Sequence, residues 1–343
     1  MRLLYDDTVL ELDGTETATE LAELEHMPTS VKQVSINAKF RRMRLPRFKA
    51  HVKIISLYDD ATLEGPVIFH EGLEILRMSN VSTETPMAYW SFPASLIRLD
   101  AYKWTEQPLD LRACTADQIS LVDFGPGDEV LLPDVLDQLE IGGEGGWLIP
   151  RLPPNLRTLL LSDSDYSFQY RAEANPSVET LIMGGNQALP STWDIFPNLA
   201  ELELSEYRGL RRLDLPTVQK LTLSDWKGRT VLRVIAPELE TLVITHRKIR
   251  RVPTFDDVLV TLGQTVVALE LKEVRGFPEI DNWNRLSSVT ITRCELELPY
   301  IQWLEELILD RPVQTNGVMI ETIDEYKAAW GFRSKAKRAA RMY

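Results

Sequence analysis

Cysteine and histidine are scarce in this chain of 343 residues, which has two cysteines and four histidines. Cys114 and Cys294 lie far apart, so no disulfide framework is expected and a reducing compartment is favoured. The histidines are His26, His51, His70 and His246. None of them occurs in an HExxH motif or at the Cys-His spacing of a zinc site. The sequence therefore predicts neither a metal site nor a cofactor.

Long apolar runs and a positive net charge are also missing. No stretch approaches the ~18 apolar residues of a membrane-spanning helix, and acidic residues follow directly after Met1–Tyr5, before a signal-like apolar run forms. The 51 acidic and 38 basic residues give a formal net charge of −13, which argues against nucleic acid or an anionic membrane as partner. We expect an intracellular, cytoplasmic protein.

Motifs of local catalytic chemistry are absent as well. No serine stands in a G-x-S-x-G elbow, and neither cysteine has the local signature of a nucleophile. The glycine-rich stretch 142–146 lacks the Gly-Lys-Ser/Thr of a phosphate loop, and a wide turn is the simpler interpretation. The sequence predicts a protein that is not an enzyme. A catalytic site assembled from distant parts of the chain is the alternative that these motifs leave open.

What the chain does contain is one short phrase, an apolar residue followed at +3 and +5 by two more. Leu156-x-x-Leu159-x-Leu161 is a clear copy, and fourteen candidates recur at a mean step of about 21 residues, which is typical of a solenoid. Their third apolar positions are Ile36, Leu57, Met78, Ala101, Phe124, Ile141, Leu161, Met183, Leu204, Leu223, Ile244, Leu271, Ile291 and Leu309. The least regular steps are the 17 residues that end at Ile141 and the 27 that end at Leu271.

This phrase resembles the pattern of the leucine-rich repeat family, L-x-x-L-x-L followed by Asn or Cys, over roughly four fifths of the chain. The resemblance implies a right-handed arc with a parallel concave sheet that grips another macromolecule. The returning segments, such as 211–216 and 231–237, are short, rich in Leu or β-branched residues, and end at Pro. We therefore predict a mainly β solenoid with short extended or 3₁₀ convex segments. The alternative is an α/β leucine-rich repeat with short convex helices.

One departure from the family pattern concerns the turns. Three residues beyond the last apolar position, only Asn186 and Cys294 match the family's Asn or Cys. Without an asparagine ladder, the backbone groups of the turns need local or water partners. We expect coils of uneven length.

Three regions are predicted along the chain. Residues 1–29 form an N-terminal cap, a hairpin closing at Asp13–Gly14 and a short helix over 15–25. Residues 30–311 form a leucine-rich-repeat solenoid of about 14 repeats, and 312–343 form a C-terminal cap helix, over 320–330, with a basic tail. The acidic start and basic end suggest self-association through oppositely charged ends.

The predicted binding site is the concave face, where the residue between the second and third apolar positions points outward. In this assignment three successive carboxylates are followed by two aliphatic residues. The partner-binding candidates are Asp100, Tyr102, Asp123, Glu140, Leu160, Ile182 and Glu203. An acidic strip beside an apolar patch suits a basic or amphipathic segment of a protein partner. The alternative is ordinary variation on a solvated sheet.

A second candidate surface is a convex basic ridge, because arginines recur shortly before prolines of the returning segments. They are Arg44, Arg212, Arg233, Arg251 and Arg275. The ridge suits an acidic or phosphate-bearing partner. Alternatively, the arginines pair with neighbouring carboxylates and cover apolar surface with their stems.

The first functional hypothesis is a non-enzymatic recognition scaffold that binds a protein on its concave sheet. The second is the recognition subunit of a ubiquitin-ligase adaptor or a secreted bacterial effector. Residues 152–159, Leu-Pro-Pro-Asn-Leu-Arg-Thr-Leu, are similar to effector repeats, but only one such copy occurs. The third is a structural subunit of a multi-protein particle.

Overall fold

The structure is a computed structural model. It describes residues 2–4, 8–12, 27–37, 42–58, 61–103, 109–123, 128–143, 147–148, 152–162, 175–184, 189–190, 193–207, 212–225, 232–245, 260–261, 266–274 and 285–330. These residues fall in two compact units, each of which is described by itself. Unit 1 is Met1–Val178 with Gln187–Pro190, and unit 2 is Glu179–Asn186 with Ser191–Tyr343.

Unit 1 is built on one long sheet, called here its front ladder. The strands, in spatial order, are β1 (Arg2–Leu4), β2 (Val9–Leu12), β3 (Gln33–Asn37), β5 (Ile54–Tyr58), β7 (Ile75–Ser79), β9 (Arg98–Tyr102), β11 (Gln118–Val122), β13 (Gln138–Gly142) and β15 (Thr158–Ser162). The pair β1–β2 is antiparallel, and every later pair is parallel.

The returning segments of unit 1 form shorter parallel ladders. Their strands are β4 (Arg42–Met43), β6 (Thr62–Leu63) and β8 (Ser82–Thr83) in one ladder, and β10 (Leu109–Asp110), β12 (Asp128–Leu131) and β14 (Trp147–Leu148) in the other. A 3₁₀ turn lies at Met87–Tyr89. The convex side of unit 1 is therefore extended or 3₁₀ in its described parts, as the short Pro-ended segments predict.

Unit 2 repeats the same plan. Its front ladder consists of β16 (Thr180–Gly184), β17 (Glu201–Ser205), β19 (Lys220–Ser224), β21 (Thr241–Thr245), β23 (Ala268–Lys272), β24 (Ser288–Thr292) and β25 (Glu306–Leu309), all parallel. Its back ladder consists of β18 (Arg212–Asp214), β20 (Leu232–Ile235) and β22 (Val260–Thr261). A 3₁₀ turn lies at Trp193–Ile195.

Beyond β25, unit 2 changes character. An antiparallel hairpin, β26 (Val313–Thr315) with β27 (Val318–Ile320), precedes a helix over 323–330. The hydroxyl of Tyr326 on this helix donates to the carbonyl of Pro299 at 2.8 Å, and the backbone N–H of Ile301 donates to the same hydroxyl at 2.6 Å. The helix is thereby tied to the last coil. In the described parts of the chain, no helix combines the length and apolar character that crossing a membrane requires.

The recurring phrase forms strands because its last two apolar residues alternate with polar ones, so one face of each strand can be buried. In β9, Leu99 and Ala101 are buried, whereas the side chains between and beside them reach solvent. Thirteen of the fourteen copies carry their second and third apolar residues on front-ladder strands. The mainly β, leucine-rich-repeat-like solenoid predicted from the sequence is confirmed.

The copy assigned at Ile119 is wrong in register. Ile119 pairs with Leu99 and Leu121 pairs with Ala101, so these residues are the second and third apolar positions, and the buried Ala116 is the first. The third positions of β9, β11 and β13 then follow at equal steps of 20 residues. The irregular step of 17 residues disappears. Its cause was the small side chain of Ala116, which made the true phrase weaker than its neighbour.

Most of the phrases begin after a tight turn. The N–H of the first apolar residue donates to a carbonyl three residues earlier, as in Leu156 to Pro153 at 3.2 Å and Leu239 to Ala236 at 3.2 Å. Proline suits the early positions of such turns because its φ is preset. The prolines that end the returning segments therefore shape the turn that delivers the next strand.

In many coils, the residue directly after the front-ladder strand has a left-handed backbone conformation. Glu206, Asp225 and Glu273 have φ of 60°, 49° and 57°, although none is glycine. Their N–H groups donate to the backbone carbonyl oxygen of the last residue of the next strand, at 2.9, 2.9 and 2.8 Å. This additional backbone hydrogen bond gives each of these turns a partner, a role that an asparagine ladder has in the leucine-rich repeat pattern.

Both ends of the described chain carry a β-hairpin. The described hairpin pairs β1 with β2, from Arg2 opposite Glu11 to Leu4 opposite Val9, and the turn predicted at Asp13–Gly14 lies outside the described residues. The predicted helix over 15–25 and the basic tail lie outside the described residues. The β26–β27 hairpin was not predicted from the sequence. At its turn, Asn316 and Gly317 have positive φ values of 52° and 77°, which mark a tight connection.

Candidate functional site

The front ladder directs up to three side chains per strand away from the core, in rows that run across the strands, although some of them, such as Ser56 and Ser224, are buried. These side chains form the front face of each unit. In β9 the three are Arg98, Asp100 and Tyr102, and the buried residues between them hold the strand on the core. Because the strands pair in register, side chains in one row are about 4.8 Å apart from strand to strand. The front face is thus a surface whose chemistry is set by every second residue of each strand.

On unit 1, Asp100 is not a free carboxylate. Arg98 Nε lies 2.7 Å from its Oδ1, and Arg77 Nε lies 3.5 Å from its Oδ2. Arg77 is directly opposite Asp100 in the parallel register of β7 and β9. The local charge of this triad is positive by one, so the acidic strip expected here is absent at Asp100.

Asp123 does not lie in the row that the sequence assignment gave it. Ser120 pairs with Asp100 and Glu140, while Asp123 follows β11 as a left-handed residue with φ of 55°. A hydrogen bond to the Asp123 carboxylate raises the pKa of Tyr102, whose ring also lies 5.4 Å from Lys103 Nζ. Asp123 therefore neighbours Tyr102 at the edge of the front face rather than stacking between Asp100 and Glu140.

The remaining candidates lie on the front face as expected, but in two units. In unit 1, half-buried Glu140 pairs in register with half-buried Leu160. In unit 2, half-buried Ile182 pairs with Glu203. Each aliphatic residue is thus next to a glutamate. Whether any of these residues binds a partner stays a prediction.

Unit 2 carries a depression on its front face, with a volume of about 450 Å³. It spans five neighbouring strands, and the middle row of its lining reads Glu203, Thr222, Val243, Glu270 and Thr290. Hydroxyl groups and carboxylates dominate this row, with one aliphatic side chain at its centre. The depression therefore suits a ligand that combines donors with a modest apolar contact.

Two contacts organise the walls of this depression. The Ser224 hydroxyl donates to Glu203 Oε1 at 3.1 Å, and Arg293 Nη1 lies 3.2 Å from Glu273 Oε1. No described residue forms an ion pair with Glu270, which is exposed. The carboxylates of Glu203 and Glu270 are thus separate acceptors at two positions of one row.

The sequence analysis missed this hydroxyl-rich surface. Its signal was present as Thr241-x-Val-x-Thr245 and Ser288-x-Thr-x-Thr292, where alternate residues are polar and small. Neither charge nor large apolar side chains, the features that mark the predicted site residues, distinguish this surface. Alternate positions of adjacent strands form one face, so these hydroxyls gather only when the strands stack.

The proposed basic ridge is only partly described. Arg44 is exposed, and Arg212 Nε pairs with Asp214 Oδ2 of its own strand at 2.8 Å. Arg233 is opposite Arg212 in the back ladder, and its side chain lies outside the described residues, as do Arg251 and Arg275. The pairing with Asp214 means that Arg212 adds no net charge to a ridge.

The returning segments of unit 1 hold an aromatic cluster. Phe69 lies 5.9 Å from Trp90 and 5.8 Å from Phe92 between ring centroids. His70, next to it, places Nε2 2.8 Å from the Val52 carbonyl and packs its ring edge-on against Phe48. These contacts account for His70 as a half-buried structural residue.

Neither cysteine has the environment of a reactive thiol. Burial raises the pKa of Cys114 to about 11 and also raises that of Cys294. The thiol is the weak nucleophile and the thiolate the strong one, so both side chains are unreactive near neutral pH. Among the described residues, no group of three His, Cys, Asp or Glu side chains could hold a metal ion.

Comparison with known proteins finds one solved structure and no relative by sequence. No protein-family model matches the sequence, and no curated protein matches it significantly. Among solved structures, the chain is similar to CroV588, described as a novel circular LRR protein, with a TM-score of 0.42 and 13% sequence identity. The match covers 84% of this chain and 57% of that one, so this chain spans little more than half of that protein's length. The parallel register and the coils of about 20 residues themselves fit a leucine-rich-repeat-like protein.

Proposed function

We propose that the protein is a non-enzymatic recognition scaffold that binds a protein partner on its front face. The observation that carries this proposal is the depression of unit 2, which lies on the row of outward side chains and not on the returning segments. A regular sheet places these side chains at fixed spacing, so a partner meets a surface that needs little rearrangement.

The site residues of the proposal follow from the geometry of each unit. In unit 1 they are Tyr102 with Asp123 at the edge of the face, and Glu140 with Leu160 at its far strands. Asp100 contributes as part of its triad with two arginines rather than as a lone acid. The partner surface against unit 1 is therefore mixed in charge.

In unit 2 the proposed site residues are Ile182 and Glu203, together with the row that continues from them through the depression. Half-buried aliphatic residues supply contact area, and carboxylates supply orientation and association rate. A basic or amphipathic segment remains the proposed partner on this unit.

The test is affinity capture from a cell extract with quantitative mass spectrometry. The wild type is compared with the front-face variant Leu160→Asp plus Ile182→Asp and with Tyr89→Asp, a matched control at a returning-segment residue that is 76% exposed. We expect the front-face variant to lose specific partners and the control to retain them. Retention by the front-face variant, or loss only in the control, would place the binding surface elsewhere. Failure of the wild type to retain any specific protein would contradict the scaffold itself.

A structural subunit of a larger particle is the second candidate, and one observation favours it. The ladder residues Leu307 and Leu309 of β25 are only half-buried, whereas their counterparts Leu242 and Ile244 are almost fully buried. Ile308 of the same strand is 51% exposed, and Met319 of β27 is 59% exposed. Apolar surface at the last strand of a ladder is suited to end-on association. The ubiquitin-ligase adaptor and bacterial-effector hypotheses rest on sequence resemblance alone.

A further inference from the structure

The depression of unit 2 has a spacing that selects the form of its partner. Glu203 and Glu270 occupy the same row, with Thr222 and Val243 between them, so they are three strands apart. At about 4.8 Å per strand, this separation is about 14 Å along the row. An extended peptide advances about 3.4 Å per residue, so four residues also span about 14 Å.

The side-chain directions of an extended peptide agree with this spacing. Residues i, i+2 and i+4 of such a peptide point to one side. Basic side chains at i and i+4 would each reach one of the two glutamates. The side chain at i+2 would lie between Thr222 and Val243, where an aliphatic or hydroxyl-bearing residue of moderate size fits.

The charge of the depression sets the sign of the partner. Its lining has the carboxylates of Glu203, Glu270 and Glu273 against one ammonium, that of Lys272. Arg293 pairs with Glu273, so the three carboxylates, Lys272 and Arg293 together carry a formal charge of −1. The separation of Glu203 from Glu270 is far too large for joint coordination of one metal ion, whose ligand distances are about 2–2.6 Å. Two separate cationic side chains fit this arrangement of carboxylates better than one metal ion.

We propose that unit 2 binds an extended protein segment that lies across its strands and carries Lys or Arg at positions i and i+4, with a β-branched residue at i+2. This inference rests on the proposed front-face function and adds to it the conformation and spacing of the partner. Ser224 holds Glu203 over the depression by its hydrogen bond, so this carboxylate is oriented before the partner arrives.

The experiment measures binding of two fluorescent nine-residue peptides by anisotropy. Both have the same composition of two Lys, one Val and six Ser or Thr. One peptide has Lys at positions 3 and 7 with Val at 5, and the other has Lys at 3 and 6. In the second peptide the lysines point to opposite sides when extended, so we expect it to bind more weakly by up to about fivefold, the value of one exposed ion pair near the upper end of its range.

The protein variants are Glu203→Gln, Glu270→Gln and the double variant, with Glu238→Gln as a matched control at an exposed turn residue of unit 2 that does not line the depression. Circular dichroism establishes that each variant keeps its β signal. We expect each single change to weaken binding of the 3,7 peptide by up to about fivefold, the double change to remove its preference over the 3,6 peptide, and the control to leave both unchanged. Added salt should reduce the preference as well.

Equal binding of the two peptides to the wild type would overturn the spacing rule, and so would a preference that survives in the double variant. The capture experiment separates this failure from that of the scaffold. Partners still lost on Leu160→Asp plus Ile182→Asp would show that the front face binds a partner of another form.

Discussion

Gly72 offers the sharpest test of how tightly successive coils approach each other. It lies in the turn where the N–H of Leu73 donates to the carbonyl of His70 at 3.3 Å, and its φ is 103°. A Cβ at this position would stand 2.5 Å from the carbonyl oxygen of Ala50, in the preceding coil. Its N–H donates to Ser95 Oγ of the following coil at 2.9 Å. Gly72 is thus held between two neighbours, and one of them is backbone.

The expected cost of Gly72→Ala has two parts. A left-handed φ costs an L-residue about 1–2 kcal/mol, and an extra methyl forced against fixed backbone costs about 1–3 kcal/mol. The reduced entropy of the unfolded chain returns about 0.4–1 kcal/mol. We expect a net loss of about 1–4.5 kcal/mol in the free energy of unfolding.

The matched control is Gly65→Ala in the same unit. Gly65 has a φ of 72°, but the nearest atom to its added Cβ is Arg44 Nε at 4.0 Å. Only the conformational part of the cost applies there, so the loss should be about 0–1.5 kcal/mol. The measurements are urea unfolding followed by circular dichroism and hydrogen exchange of peptides covering 50–96. Equal losses in the two variants would refute the claim that backbone contact between coils limits this turn.

Two further outcomes are expected. Burial lowers the pKa of His70 below its usual 6.5 despite the Val52 carbonyl, with His51 and Lys53 acting in the same direction and Glu71 opposing them. The unfolded chain therefore binds more protons than the native one, so stability is complete above about pH 6.5 and declines as the pH falls through and below it. Urea midpoints at pH 8 and 5.5 should differ less in His70→Gln than in the wild type, and an unchanged difference would show that His70 is not responsible. If the exposed surface at β25 mediates end-on assembly, light scattering should show a mass that rises with concentration and falls in Ile308→Glu. A constant monomer mass in the wild type would contradict the particle-subunit hypothesis.

The repeat and its strands could be predicted because they depend on local information. Leu159 and Leu161 are apolar at alternate positions, and Thr158 and Ser162 beside them are polar. This alternation can bury only one face of a strand. The Pro-ended returning segments likewise predict extended backbone because proline restricts the residue before it.

The register of β11 could not be predicted in the same way. Val122 and Phe124 extend the apolar pattern beyond Ile119, so the sequence is consistent with two positions of the repeated phrase in this coil. The hydrogen bonds decide, because Ile119 must stand opposite Leu99 once the strands pair. A shift of this kind changes which residue reaches the front face, and it moved Asp123 out of the row.

The charge of the front face also depends on the pairing of the strands. Asp100 is an acid in the sequence, yet its two arginine partners make it part of a positive triad. Arg98 is close in sequence, but Arg77 belongs to the preceding coil and becomes a neighbour only through the pairing of β7 with β9. Charge counted along the chain therefore differs from charge gathered on the surface.

The chain alone determined the period, the strands and the direction of their buried face, since each follows from residues within a few positions of one another. Tertiary structure decided which outward residues share a row, because neighbours in a row come from different coils about 20 residues apart. The depression between Glu203 and Glu270 exists only at that level, where three intervals between parallel strands become one distance.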